Sequence, residues 1–394
     1  MFGSCHMFFT GGEVRSGILN LPLRYSPQNS INYFSPRRSI MPKWTPELCG
    51  AACIKKHPKP ILTKEDIPYE AEFIFNAGVA KVNGKYVMVF RNDHGVSREV
   101  FESKRIFPPK TSVGIAVSDN GIDGWQVSPK PLIYYDMTDK KAVVNLLGEE
   151  LHRPDIYRLY DPRLSVIEGK LYLCLAMDTA HGVRGCIARL SDDLCSVEII
   201  SASAPDNRNM VMFPETIGGY YYRLERPFPV YSRGGKDTFD IWISRSPDMR
   251  FWGDTELLMG VEHVPFANDK IGPASPPIKT PKGWLTLFHA VDKEKEGRGQ
   301  SEWDMKWNKR YTAGIMLLDL EDPYKVIAMS KKPLIVPELP HETDHGFRQN
   351  VIFPGGMILE DNGEVKIYYG AADSVECLAT ANIDDLIALC DESL

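Results

Sequence analysis

The stretch GVAKVNGKYVMVFR, residues 78–91, joins an apolar run to an aromatic-rich run through a tight Asn83-Gly84 turn. Asn-Gly is a strong hairpin signal, because a type I′ turn needs positive φ at both central residues. The pattern returns as PRLSVIEGKLYLCLAMD (162–178), PETIGGYYYRLERP (214–227), PPIKTPKGWLTLFHAV (276–291) and GGMILEDNGEVKIYYGAAD (355–373), which brings a second Asn-Gly at Asn362-Gly363. A second pattern follows each copy: VGIAVSDNGIDGW, GCIARLSDDLCSVEI, DIWISRSPDMRFWG, AGIMLLDLEDPYKVI and CLATANIDDLIALC. Each is a short apolar strand, then Ser, Asp or Asn turn residues, then a further segment. Two hairpins make a four-stranded antiparallel unit, and five such units read as an all-β, five-bladed β-propeller. The competing reading is a β-sandwich with coincidental turns.

The turn glycines at 84, 169, 219, 283 and 363 are unevenly spaced, so insertions lie between blades. Two are read at 134–158 and 293–310, the latter a charged exposed loop, KEKEGRGQSEWDMKWNKR. Residues 58–394 form the expected propeller. Residues 1–57 fit no blade. Their Pro-rich basic stretches RRSIMPKW and KKHPKPIL read as an N-terminal arm with a short docking strand, and Met41 is an alternative start. Packing of the arm on a neighbouring subunit would make a homo-oligomer.

At 394 residues, 43% hydrophobic and 25% charged, the composition is that of an ordinary soluble globular protein. A core of this size needs no disulfide or metal staple. A net charge of −6 argues against a nucleic-acid or membrane-surface partner. No apolar run approaches the ~18 residues of a membrane span. The eight cysteines form no CxxC, and Cys174 and Cys186 sit in strand-like apolar runs as small hydrophobes. The N-terminus has no signal-peptide pattern, so a reducing, cytoplasmic location is expected. No HxH, GxGxxG or GxxxxGK[ST] occurs, and no metal or nucleotide cofactor is expected.

A propeller brings the inner strand of every blade to one funnel, so functional residues should recur in phase with the repeats. Polar residues flank every first hairpin. They are Asn76 and Arg91-Asn92-Asp93-His94, Tyr160-Asp161-Pro162-Arg163, Asn207-Arg208-Asn209 with Glu225-Arg226, Lys270 with His289, and His345, Arg348 and Asn350 with Asp373. Asp161 is the candidate acid: a strand-entrance carboxyl between Tyr160 and Pro162, where desolvation would raise its pKa. The competing reading makes it a turn cap or a partner of Arg163. Arg208, Arg226, Lys270 and His289 are four potential cations from adjacent blades, suited to phosphate oxygens. Taken singly, each reads more simply as an ion pair with Glu225, Asp240 or Asp269. One carboxylate facing a basic cluster suits a nucleophile that is already an anion. A hydrolase would need a second carboxylate to activate water, and Glu225 is the nearby candidate. A non-catalytic sugar-binding propeller is the third reading.

The strings FNAGVAKVNGKYVMVFRNDH, YDPRLSVIEGKLY, NRNMVMFPETIGGYYYRLERP, DIWISRSPDMRFWG, KIGPASPPIKTPKGWLTLFHA and GFRQNVIFPGGMILEDNGEVKIYYGAAD run in order over roughly four-fifths of the chain. They resemble glycoside hydrolase family 130, whose β-mannoside phosphorylases are five-bladed propellers. The resemblance implies inverting phosphorolysis of β-mannosides to α-D-mannose 1-phosphate, with inorganic phosphate as co-substrate and no cofactor. It implies that Asp161 is the general acid, acting through the 3-hydroxyl of the −1 mannose. Asn76, Arg91, Tyr160 and Asp373 match positions that hold that mannose, and Tyr311 lines the acceptor side. Arg208, Arg226, Lys270 and His289 match the phosphate site, parts of which hydrolytic relatives lose. The likeness is nearest to the branch acting on β-1,4-mannooligosaccharides or mannosyl-N-acetylglucosamine. This sequence departs from the family in reading FNAG for FNSA, which places Ala77 at a Ser contact. It also lengthens the loop after His94 by FESKRIFPPK, which displaces the match of Arg98 to a second sugar-contacting Arg.

Overall fold

The computed structural model describes residues 48–104, 106–136, 156–229, 238–293, 309–344 and 346–390. The first described strand is β1 (Lys55–Lys56). Blade one follows as β2 (Phe73–Val82), β3 (Lys85–His94), β4 (Lys110–Ser118) and β5 (Gln126–Val127), with β6 (Ile133–Asp136) also on β4 and helix α1 (Arg98–Lys104) between β3 and β4. Blade two is β7 (Ile156–Ile167), β8 (Lys170–Thr179), β9 (Gly182–Leu190) and β10 (Val197–Ala202). Blade three is β11 (Asn207–Met212), β12 (Tyr221–Pro227), β13 (Ile241–Ser246) and β14 (Gly253–Met259). Blade four is β15 (Lys270–Pro273) with β16 (Ile278–Thr280), then β17 (Gly283–Lys293), β18 (Lys309–Leu318) and β19 (Val326–Met329). Blade five is β20 (Ile352–Leu359), β21 (Glu364–Ala371) and β22 (Val375–Asn382).

All pairs within the blades are antiparallel, and the five expected hairpins are present. The Ser/Asp/Asn turn residues act by a common device. At the end of each third strand a side-chain oxygen accepts backbone N–H bonds two to five residues on: Asn120 from Ile122, Ser191 from Ser196, Asp248 from Arg250 and Phe251, Asp319 from Glu321 and Asp322, Asn382 from Asp384.

Blade five differs from the repeat. After β22 the chain enters a helix, Ile383–Ala388, instead of a fourth strand. The fourth strand is β1, paired Lys55↔Thr380 and Lys56↔Ala379, so the N-terminal segment closes the ring. Lys56 also reaches the Val336 carbonyl (2.6 Å) and the buried carboxylate of Glu342 (2.7 Å). Of the expected insertions, residues 137–155 and 294–308 lie outside the described residues, as do residues 1–47, Met41 and His345.

Apolar clusters fill all five blade interfaces. Val89 and Leu173 meet between blades one and two, Met212 and Ile187 between two and three, and Leu224 and Trp284 between three and four. Ile315 and Ile367 join four to five, and Met88 and Tyr368 close five onto one. Cys174 and Cys186 are buried free thiols within this packing, and burial pushes both up to about 12.

At the axis the inner strands touch backbone to backbone. A Cβ on Gly78 would lie 2.7 Å from the Leu164 nitrogen, and one on Gly355 would lie 2.0 Å from the Ala77 carbonyl oxygen. Just before this contact the inner strands of blades one, two and three bulge, with register breaks at Phe75/Gly78, Tyr160/Arg163 and Arg208/Val211. Each bulge holds one left-handed residue: Asn76 (φ 54°), Asp161 (φ 52°) and Asn209 (φ 59°). Asn and Asp tolerate this conformation better than other non-glycine residues, and a bulge re-aims its side chain. Because the Gly78 contact is with backbone, Gly78→Ala cannot be relieved by a rotamer change. It should destabilise the fold by about 1–3 kcal/mol or more, read as a lowered midpoint in thermal or urea unfolding.

Candidate active site

The three bulges and the ends of the neighbouring inner strands open into one cavity. Its volume is about 810 Å3, open mouth included. It is lined by Asn76, Arg91, Asp161, Arg208, Asn209, Arg226, Lys270, Tyr311, Phe347, Arg348, Val351, Phe353 and Asp373. The structure thus brings eight of the ten residues singled out from sequence into one cavity wall.

Asp161 is held on one oxygen by Asn76 Nδ2 and Arg91 Nη1, each at 3.0 Å. Arg91 is itself fixed. Its Nε and Nη2 donate to the two oxygens of Asp93, and its plane lies over Phe75 (4.6 Å) and Tyr160 (4.9 Å). The expectation of a raised pKa for Asp161 is not met. Burial pushes the pKa up, but Arg91, Arg163 and the Asn76 hydrogen bond outweigh burial and hold it below the usual carboxylate range. The carboxyl that is pushed up is Asp373, to about 6, because burial and the nearby charges of Asp161 and Asp93 outweigh Arg348 and Arg91.

Two of the residues stand behind the cavity wall. Tyr160 is buried, gives its hydroxyl to Asp178 (2.8 Å), and is stacked between Arg91 and Arg158. Its contact is with the guanidinium that grips Asp161. His289 is fully buried, with Arg226 Nη1 2.9 Å from its Nε2. Arginine only donates, so that nitrogen accepts and the ring is neutral. Burial and the charges of Arg226, Arg163, Lys270 and Arg208 drive the His289 pKa well below its ordinary value. The expected fourth cation is therefore a neutral prop beneath Arg226. The ring needs the space left by Gly272, where a Cβ would sit 2.4 Å from its Cε1.

The competing ion pairs are only partly formed. Glu225 is committed to Arg223 Nη2 (3.0 Å) and Asn207 Nδ2 (2.8 Å) and lies outside the cavity lining. Asp240 accepts from the Val261 backbone and from Thr238. Asp269 lies 3.9 Å from Lys270 and 3.2 Å from Lys309. Arg98 pairs with Glu102 along α1 and does not line the cavity. Two lining residues, Asn209 and Arg348, are in phase with the repeats, and that phase is the signal that marks them. Phe347, Val351 and Phe353 carry no such signal.

Asp161, Asp373 and Arg91 come from the contiguous blades five, one and two, and Arg208, Arg226 and Lys270 from blades three and four. One half of the funnel can hold hydroxyls and a proton, the other an anion. A polar funnel of this kind, at the axis of five blades, is a binding site for a small polar molecule that carries an anionic group. The chain belongs to glycoside hydrolase family 130: the family model described as beta-1,4-mannooligosaccharide phosphorylase matches residues 57–392. It is 30% identical to 1,2-beta-oligomannan phosphorylase of Thermoanaerobacter sp., over 83% of this chain and 96% of the relative. It is 29% identical to beta-1,4-mannooligosaccharide phosphorylase of Ruminococcus albus, over 83% and 88%. The solved beta-1,2-mannobiose phosphorylase of Listeria innocua shares the fold, with a TM-score of 0.66 at 24% identity over 86% of this chain and 99% of that one.

The raised pKa of Asp373 fixes the sign of a stability effect. The folded protein binds its proton more tightly than the unfolded chain, so stability falls as pH rises from about 4 to about 6 and stays reduced above. Asp373→Asn should therefore stabilise the fold at pH 7 by about 2–3 kcal/mol, at 1.36 kcal/mol per unit. Melting curves of both proteins should converge as the pH is lowered to 4.

Proposed function

We propose that this protein is an inverting β-mannoside phosphorylase. It cleaves β-1,4-linked mannooligosaccharides or mannosyl-β-1,4-N-acetylglucosamine with inorganic phosphate and releases α-D-mannose 1-phosphate. The observation that carries this reading is the division of the funnel. Arg208, Arg226 and Lys270 gather on blades three and four, and the lining carboxylates Asp161 and Asp373 sit on the other half. Water attacking from the cationic side would need a base there, and Glu225 is held by Arg223 and Asn207. Phosphate needs no base. It needs charge neutralisation and aim, which two guanidiniums and an ammonium supply.

The lowered pKa of Asp161 fits this chemistry. In the free protein Arg91 and Arg163 keep the carboxyl ionised. A phosphate dianion in the funnel neutralises the surrounding positive field and brings a like charge near Asp161, both of which raise its pKa. The acid is thus armed by its co-substrate. A phosphate oxygen forms the new bond to C1 as the glycosidic oxygen leaves, taking a proton that originates on Asp161. The proton carried in by hydrogen phosphate restores the acid, so donor and phosphate yield sugar phosphate and alcohol with no net proton change. The preference for a β-1,4 linkage rests on the order and wording of the sequence motifs and on the description of the family model; the relatives named above include β-1,2 enzymes.

The test is product analysis with β-1,4-mannobiose, mannosyl-β-1,4-N-acetylglucosamine and β-1,2-mannobiose, each with and without phosphate. α-Mannose 1-phosphate is expected only with phosphate and with the β-1,4 substrates first. Free mannose at a phosphate-independent rate would overturn the reading in favour of a hydrolase, and binding without turnover in favour of a sugar-binding propeller. Asp161→Asn should lower kcat by about 10²–10⁴, the usual range for a general acid, with unchanged circular dichroism. Arg226→Met should raise the KM for phosphate far more than that for the mannoside.

A further inference from the structure

The loop between β3 and β4 departs most clearly from the family pattern, and the structure shows what it builds. Ser97 starts α1, its backbone carbonyl accepting from Phe101 N at 2.9 Å. The Arg98 backbone N–H is tied down by Glu72 (3.0 Å). The helix turns Phe101 inward, where it is buried with Phe73 and Phe75 and packed by Val96 and Phe347. The Phe101 and Phe347 rings stack at 4.3 Å with 30° between their planes. Phe107 stands edge-on to both, at 5.6 Å and 5.7 Å. The Arg348 guanidinium lies 6.0 Å from the Phe107 ring and 5.2 Å from that of Phe347.

Phe347 and Arg348 line the catalytic cavity, so Phe107 is the next ring outward along the same wall. It is 38% exposed, and its neighbour Ile106 is 49% exposed. The other large exposed hydrophobics among the described residues are single and scattered: Tyr220, Phe251, Leu257, Ile327 and Leu359. Scattered exposure is normal; Ile106 and Phe107 instead adjoin one another beside residues that line the binding cavity. Phe101 packs against both Phe107 and Phe347 and so braces the wall.

We propose that Phe107 and Ile106 form a stacking platform for a sugar ring of the oligosaccharide chain beyond the leaving-group position, so that the loop after His94 selects chain length. The proposal rests on the β-mannoside reading above. A pyranose presents an axial C–H face that packs on an aromatic ring, and the adjoining Arg348 offers donors to the hydroxyls at its edge. The catalytic groups lie deeper in the cavity, so the platform acts on donors that extend past it and leaves disaccharides untouched.

The experiment compares mannobiose with mannotetraose, of whichever linkage the protein accepts, on wild type, Phe107→Ala, Phe107→Leu and Phe107→Trp. Wild type should prefer the tetraose. Alanine and leucine should lower kcat/KM for the tetraose by about tenfold, the upper end of an aromatic contact, with mannobiose changed less than twofold; tryptophan should keep the preference. A chain-length ratio unchanged in Phe107→Ala overturns the proposal, and so does an equal loss on both substrates, which would mark Phe107 as a packing residue only. Calorimetric titration of both oligosaccharides into the same proteins without phosphate gives the length dependence independently of turnover. Loss of length-dependent binding in Phe107→Ala supports the platform even where the product assay shows hydrolysis or none, and equal binding of both lengths by wild type overturns it.

Discussion

Backbone against backbone at the axis is the constraint from which the site follows. Five inner strands cannot converge with side chains between them, so Gly78 lies on the Arg163–Leu164 backbone and Gly355 on the Ala77 carbonyl. Arg163 is a large polar side chain admitted there, and the buried Glu376 of blade five reaches the Ala77 N–H. Arg163 is fully buried and spans from blade two to the Ala274 carbonyl of blade four (2.6 Å), with its guanidinium over Phe353 of blade five. Strands packed this tightly must break step where they part, and the breaks are the left-handed bulges at Asn76, Asp161 and Asn209. The side chains that face the funnel are therefore carried by closely packed backbone, as a catalytic constellation requires.

Electrostatics then divides the funnel. On one half Arg91 ties one oxygen of Asp161 to Asp93 and lies over the rings of Phe75 and Tyr160. On the other half a buried neutral histidine supports Arg226 without adding a charge to an already positive site. Burial raises the pKa of both carboxyls, but their neighbours take them apart. Asp161 has cations close enough to overcome it, whereas at Asp373 burial is reinforced by two neighbouring carboxylates and the pKa is pushed up to about 6. One fold thereby holds two aspartates with different proton affinities within the same cavity.

Much of this was legible in the sequence because it is local. An Asn-Gly turn between two alternating runs specifies a hairpin wherever it occurs, and an Asx or Ser oxygen at the end of a third strand specifies its own turn. Repetition of those local signals five times fixed the propeller and, through phase, most of the funnel residues. What failed was non-local. The short docking strand expected in KKHPKPIL is present, but nothing in Lys55-Lys56 tells which blade it completes, since two exposed-type residues carry no alternation. The burial of Tyr160 and His289 behind Arg91 and Arg226 depends on strands from other blades. The lowered pKa of Asp161 depends on Arg91, seventy residues earlier in the chain. The aromatic wall was hidden for a similar reason: Phe101, Phe107 and Phe347 are single residues in two loops far apart in sequence.

The two-residue strand that closes the ring also sets an order of events. The contacts of Lys56 join groups 280 and 286 residues apart. The entropy of closing so long a loop grows only with the logarithm of its length, so the seam costs little at equilibrium. In time it is different. Each blade can form from its own stretch of chain as that stretch becomes available, but the last blade must wait for a partner strand made before any of the others. The earliest part of the propeller to be synthesised is the last to find its place, and until it does, the outer edge of blade five presents β22 as an open strand.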